Sequence, residues 1–551
     1  MAKTYDLPQA TERPAAKPNT VYLVASGDLR ETTNRATWAT QQEMERQLTR
    51  AINECGWEVE RAHSYDPEKK HGFIDHQRLG MEIFKHVPKD APLVVAESVW
   101  QYSHHILHGL KTHRGPILTA ANFDGTWPGL VGMLNINGSL TKAGVPYSTI
   151  WSIDYTDQWA VDKIREWLTT GHIVHDASHI KQLPSRENLP EGEVALGDAV
   201  AEQLREDKAI IGLFDEGCMG MYNAIIDDEM MNQLGMYKER LSQSALYAEM
   251  LTVSDEEAQE VFQWLLDEGM TFQFGTDEET ELTEAQVLSQ AKMYIAALRI
   301  ADDFGLDAVG IQYQQGLKDL VPASDLVEGL LNNEHRPPVK SRDGSRVLYE
   351  GVALPCANEV DQGVAVDALI TNRVWKSMGL DPATTLHDLR WGDDFDGEFV
   401  WVFEISGSVP ASHLPNGYKS ASSWRQDPVF FPLGGGTLRG TSKAGPIVWS
   451  RVYIEDNRLK ADLGVGKAVD LPDEETERRL KATNPEWPIM HAVLPGVSRD
   501  QLMARHKANH LNVAYAPDAE TAARALVAKA VALQDLGVEV FVAGDFDVPQ
   551  D

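Results

Sequence analysis

Cysteine is nearly absent: three residues in 551, Cys55, Cys218 and Cys356, widely spaced and odd in number. That argues against a disulfide framework and a thiolate zinc site. Long apolar runs are missing too. No stretch of about 18 uncharged apolar residues occurs, so no membrane-spanning helix is expected. The first 18 residues are polar and proline-containing, without the apolar core of a secretion signal, and the cytoplasm is the expected compartment. Basic residues are outnumbered, 50 Lys and Arg against 83 Asp and Glu, for a net charge of −33. Such a surface repels phosphate backbones and anionic lipid, so neither nucleic acid nor membrane is expected as a partner. A solubility adaptation explains the charge without any reference to an active site. The first strand lacks G-x-G-x-x-G, which disfavours a dinucleotide site. No internal repeat or low-complexity tract occurs.

What is present reads as an ordinary folded chain, 43% hydrophobic and 24% charged, long enough for two to four domains. Apolar segments at 20–27, 92–96, 116–119 and 146–150, with Trp57-Glu58-Val59-Glu60, alternate with helical stretches such as 36–52. That alternation predicts a doubly wound α/β domain over residues 1–180, with ligand groups at the carboxyl ends of its strands. Residues 182–207 look like a linker, and Ala209-Ile210-Ile211-Gly212-Leu213-Phe214 opens a second α/β unit, taken as 181–345. Its helices are expected near 219–233, 239–251, 255–267 and 283–303, and its next strand at 307–312. The remainder, 346–551, changes to a β-rich domain with largely antiparallel strands at 398–405, 446–453 and 458–463.

Three segments there present metal-ligating side chains. Glu359 follows an apolar run, 347–354, that reads as a strand, and precedes a helix starting near Gly363. Asp388 stands in Leu386-His387-Asp388-Leu389-Arg390, and His510 in Lys507-Ala508-Asn509-His510. One Glu, one Asp and one His make a hard N/O set suited to Mn²⁺- or Mg²⁺-like chemistry. Each also has a plain structural reading. Asn358 or Asp361 would cap the helix with Glu359 in its first turn, Asp388 would pair with Arg390 on one strand face while His387 points the other way, and His510 would be a satisfied buried residue.

The ordered set resembles the L-fucose isomerase family of metal-dependent aldose–ketose isomerases. The matching segments are Glu359-Val360-Asp361, Gly363-Val364-Ala365-Val366, His387-Asp388-Leu389-Arg390, Ile405-Ser406-Gly407-Ser408, Gly434-Gly435-Gly436-Thr437 and Ala508-Asn509-His510. Upstream are Gly310-Ile311-Gln312-Tyr313-Gln314, Cys218-Met219-Gly220-Met221 and Leu234-Gly235-Met236. The resemblance implies two α/β domains and a C-terminal barrel-like β domain, in a homo-oligomer, usually a hexamer. It implies Mn²⁺ or another divalent cation on Glu359, Asp388 and His510, with Glu359 and Asp388 also the acid–base pair for proton transfer between C2 and C1 of an open-chain sugar. Substrate contacts would fall on Gln312, Ser406, Asn509, Trp100 and Arg30, the last matching an arginine that reaches a neighbouring subunit's site. A non-catalytic sugar-binding relative, or a hydrolase or lyase acting on an acidic sugar derivative, are the alternatives.

The chain departs from the family pattern in two places. Thr437 replaces an aromatic residue, and Arg505-His506-Lys507 flanks the metal histidine, which raises the expectation of a substrate that carries a negative group or lacks the fucose methyl. Other motifs carry less. Gly434-Gly435-Gly436 lacks the Lys-Ser/Thr of a phosphate loop. His104, His105 and His108 read as surface or channel histidines, and Asp393, Asp394 and Asp396 as a solvated turn rather than a calcium loop.

Overall fold

A computed structural model describes residues 3–550. The architecture is mixed α/β, with parallel sheets of five and three strands, a two-stranded parallel pair and one large mixed sheet. Strands β1 (Thr20–Val24), β2 (Glu58–Arg61), β3 (Leu93–Glu97), β4 (Ile117–Asn122) and β5 (Ser148–Ser152) form a parallel sheet in the order β2-β1-β3-β4-β5. Along β1, Val21 and Leu23 pack with Met44 and Leu48 on one face, while Tyr22 and Val24 pack with Phe84 and Leu110 on the other. A sheet buried on both faces needs largely apolar strands, as β1 and β3 are, whereas the edge strand β2 carries Glu58, Glu60 and Arg61. The strand order reverses between β1 and β3, and the crevice at their carboxyl ends is where such sheets carry ligand groups. Arg30 follows β1 and Trp100 follows β3.

The segment expected as a linker is structured. It holds a short strand, β6 (Ile180–Gln182), and a helix, Glu191–Asp207, that packs on the helix Ala519–Asp535. Gly197, Val200, Ala201 and Leu204 form its buried stripe, a helical spacing that the flanking prolines and acidic residues obscured. The close approach requires Gly197, where a Cβ would lie 2.6 Å from the Ala528 carbonyl oxygen.

Strands β7 (Ala209–Phe214), β8 (Met236–Leu241) and, after the two-residue β9 (Thr271–Phe272), β10 (Ala308–Ile311) make the second parallel sheet, β10-β7-β8. The helices expected at 255–267 and 283–303 form as Asp255–Asp267 and Glu284–Phe304. Two other expectations fail. The helix expected at 239–251 begins only at Gln243, because the charged edge strand β8 takes the preceding residues. Over 219–233 two single turns precede a short helix, Asp228–Gln233, because Cys218 and Met219 are left-handed at φ +43° and +47°.

Residues 347–354 likewise form turns, not a strand. Val347 makes an isolated antiparallel bridge to Lys340, and just beyond the segment Cys356 makes a parallel bridge to Val309 of β10. The strands of the last third are β11 (Thr385–Phe395), β12 (Glu398–Glu404), β13 (Ser422–Ser423), β14 (Gly445–Glu455), β15 (Arg458–Ala468), β16 (Ile489–Val493), β17 (His510–Tyr515) and β18 (Glu539–Ala543). Six of them close into an antiparallel barrel, β14-β17-β11-β12-β16-β15, sealed by the β14–β15 hairpin. Beyond it β18 and β6 extend the sheet from β15, and β13 pairs with β9. No helix of the described residues is long and apolar enough to cross a membrane.

Candidate active site

The antiparallel register of β11 and β17 sets Asp388 directly opposite His510. Cross-strand partners of this kind hold their Cβ atoms about 5 Å apart, so the barrel itself brings an acid and an imidazole together. Glu359 arrives differently. It sits in a single turn after the Cys356 bridge with φ +56°, and Val360 follows at φ +59°. Left-handed backbone is costly for a β-branched residue, and such strain gathers at functional sites.

The three side chains converge. His510 Nε2 lies 3.2 Å from Asp388 Oδ1 and 3.8 Å from Glu359 Oε2. His510 Nδ1 lies 2.9 Å from Asp361 Oδ2. Asp361 Oδ1 caps the helix Gln362–Ser377 through the Val364 N–H, and its Oδ2 also meets Arg451 at 2.6 Å. The capping reading is therefore correct for Asp361 and incomplete. An ionised carboxylate only accepts, so Nδ1 donates to Asp361 and Nε2 is the ring nitrogen left to face the two acids.

Electrostatics follow from burial and these contacts. Burial, reinforced by Asp388, pushes Glu359 up to about 8 against the pull of His510 and Arg30. For His510 burial works downward, but its bonds to Asp361 and Asp388 outweigh it and raise the imidazole to about 9. Burial also opposes the ionised form of Asp361, yet Arg451 and His510 hold it well below the usual carboxylate range.

Glu359 and Asp388 open onto a cleft of about 390 Å³ including its mouth. Arg30, Gln314 and Ser406 supply further polar groups, and Trp100, Met219, Phe430, Phe431 and Trp487 supply apolar wall. Trp100 Nε1 and Gln314 Oε1 are buried at this cleft without hydrogen-bond partners, two polar groups left free to meet a ligand there.

Five expected residues thus meet at the cleft: Glu359, Asp388, Ser406, Trp100 and Arg30, with His510 bridging the acids from behind. Two do not line it. Gln312 accepts from the Met219 N–H at 2.8 Å, and Asn509 donates to Met221 Sδ. Gln314, two residues on, takes the cleft position. Arg30 lines the cleft of its own chain. It forks onto Asp28, with Nη2 to Oδ2 at 2.6 Å, and donates to the Phe430 carbonyl at 3.2 Å.

Arg390 pairs with Glu404 at 3.3 Å, not with Asp388, because the β11–β12 register shifts between Leu389 and Trp391. The cations thought to favour an acidic substrate turn elsewhere. Arg505 binds Asp462, buried His506 faces the His510 carbonyl, and Lys507 reaches Tyr147. Thr437 is buried against the Trp424 backbone and does not line the cleft. His105 is also buried, bonded to the Ile74 carbonyl, and is no surface residue.

Sequence reasoning gave no role to Met219 and Gln314, though both lay in segments it singled out, and it missed Phe430, Phe431 and Trp487, which no motif announces.

Among the described residues, one other acid–histidine–acid group has all three ligand atoms within 4.8 Å of one another: Glu31, His71 and Asp75, a closeness Glu359, Asp388 and His510 do not reach. Its wiring nevertheless opposes a metal. The Phe73 N–H donates to His71 Nδ1, which leaves the ring proton on Nε2, where a cation would have to bind. Lys69 and Arg35 already neutralise Asp75 and Glu31. At His510 the wiring is the reverse, with Nε2 facing two carboxylates that call for positive charge. The donor set there fits a hard divalent cation.

No described protein family matches the chain, and no curated protein is similar to it.

Proposed function

We propose that the protein is a metal-dependent aldose–ketose isomerase of the L-fucose isomerase type. The observation that carries this reading is the meeting of Glu359 and Asp388 on His510 Nε2 at the floor of an aromatic-walled cleft. Glu359, Asp388 and His510 would hold a divalent cation, Mn²⁺ by family resemblance. When bound, it supplies Lewis acidity toward the carbonyl and neighbouring hydroxyl oxygens of an open-chain sugar.

The chain's own groups do the rest. One carboxylate accepts the proton from C2, leaving an enediol, and a carboxylate returns a proton to C1 while the hydroxyl proton passes from O2 to O1. No atom is gained or lost. Trp100, Phe430 and Trp487 present faces for the C–H surface of the sugar and exclude water. Gln314 and Ser406 bind hydroxyls. Arg30, already neutralised by Asp28, gives the cleft no spare positive charge, so neutral aldoses suit it better than acidic ones.

The test is to incubate Mn²⁺-supplemented protein with a panel of neutral aldoses in D₂O. Ketose formation with deuterium at the carbon beside the carbonyl is expected. No conversion of any aldose would reject the reading.

A further inference from the structure

Behind the cleft lies a layer of buried polar side chains that the proposed chemistry does not use. Asp325, on the first turn of the helix Asp325–Leu331, is 3% exposed. Its Oδ1 accepts from Ser406 Oγ at 2.8 Å, and its Oδ2 has no partner. Glu328, one turn on and equally buried, is bonded to Ser324 Oγ.

Ser406 is held from a second side. Gln426 donates through Nε2 to the Ser406 carbonyl and accepts at Oε1 from Trp487 Nε1 at 2.8 Å. Gly407 follows at φ +102°, where a Cβ would lie 2.7 Å from Gln426 Nε2. The backbone of Ser406 is therefore fixed by Gln426, and its side chain by Asp325.

A serine hydroxyl has one proton and two acceptor sites. Here the proton is committed to a carboxyl oxygen away from the cleft, and only lone pairs remain for a ligand.

We propose that Asp325 is a positioning residue that makes Ser406 an obligatory hydrogen-bond acceptor, so that the cleft selects a ligand whose hydroxyl donates at that point. The proposal rests on the isomerase reading for the polyol class of ligand, but not for the chemistry performed on it. It has a specific consequence for substitutions. Asparagine at 325 keeps a carbonyl oxygen that can accept from Ser406, whereas alanine frees the serine proton and rotamer.

The experiment titrates ribitol, xylitol and galactitol calorimetrically into Mn²⁺-supplemented wild type, Asp325→Ala, Asp325→Asn, Ser406→Ala and the double alanine variant. Circular-dichroism melts check folding. We expect at least one alditol to bind wild type, with affinity falling about tenfold in each alanine variant. The double variant should be no weaker than either single one, and Asp325→Asn should recover most of the affinity. Additive losses, wild-type affinity in Asp325→Ala, loss in Asp325→Asn equal to that in Asp325→Ala, or no alditol bound at all would each overturn the proposal. Aldose turnover is measured in parallel on wild type and Asp325→Ala. Alditol binding with the expected pattern but no turnover rejects the isomerase reading and leaves the role of Asp325 standing. Turnover with a wild-type KM in Asp325→Ala does the opposite.

Discussion

Asp361 and His510 are joined by a 2.9 Å contact between Oδ2 and Nδ1, and this contact decides which ring nitrogen faces the cleft. The same carboxylate caps a helix and binds Arg451, so the imidazole is referenced to the helix Gln362–Ser377 and the barrel together. Asp361→Asn replaces an obligatory acceptor with a group that can donate. We expect Mn²⁺ affinity to fall about 10–100-fold, as for other residues that orient metal histidines. Titration of Mn²⁺ followed by electron paramagnetic resonance checks this, and unchanged affinity would remove Asp361 from the design.

Glu359→Gln keeps the shape of the side chain and removes its capacity to take a proton. Turnover should fall by about 10²–10⁴-fold, the usual contribution of a positioned acid or base. The thermal melt should stay near wild type. An active Glu359→Gln protein would take Glu359 out of the reaction.

How much of this was legible in the sequence depends on range. The alternating apolar segments of the first domain and the long helices at Asp255–Asp267 and Glu284–Phe304 are local signals, and they read correctly. Strand β8 did not, because Lys238 and Arg240 on an edge strand mimic a solvated helix face. The helix Glu191–Asp207 was hidden because its partner, Ala519–Asp535, lies more than 300 residues further along the chain. The acids and His510 were visible as residue types in ordered motifs. Their meeting was not, since it depends on barrel register and on a left-handed turn. The aromatic wall comes from loops without a motif.

A fully buried ion pair fastens the helix Ala519–Asp535 to the helix Gln362–Ser377, with Ser450 of β14 beside it. Lys529 meets Asp367, and Ser450 accepts from the same ammonium at 2.6 Å. Burial lowers the Lys529 ammonium despite Asp367. Lys529→Met leaves a carboxylate uncompensated and should cost about 3–5 kcal/mol. The double variant Lys529→Met with Asp367→Leu should regain most of that. Urea unfolding of the three proteins measures it, and a neutral single variant would contradict the account.

His491 on β16 is buried, and neither ring nitrogen has a partner. Burial, with Arg479 nearby, lowers it to about 4 from the ordinary 6.5. The unfolded chain binds the proton first as pH falls, so this group's contribution is complete above about 6.5 and is lost between there and about 4. His491→Leu should flatten that part of the stability profile. Urea midpoints at pH 7 and pH 5 should differ less in the variant than in wild type, and an equal difference would rule the residue out as an acid-sensitive element.

The central claim is that one divalent cation sits on Glu359, Asp388 and His510. It is tested most directly by counting bound Mn²⁺ in wild type, His510→Gln and His71→Gln. The account predicts one tightly held ion per chain in wild type and in His71→Gln, and none in His510→Gln. Retention of the ion by His510→Gln, or its loss in His71→Gln, would contradict it.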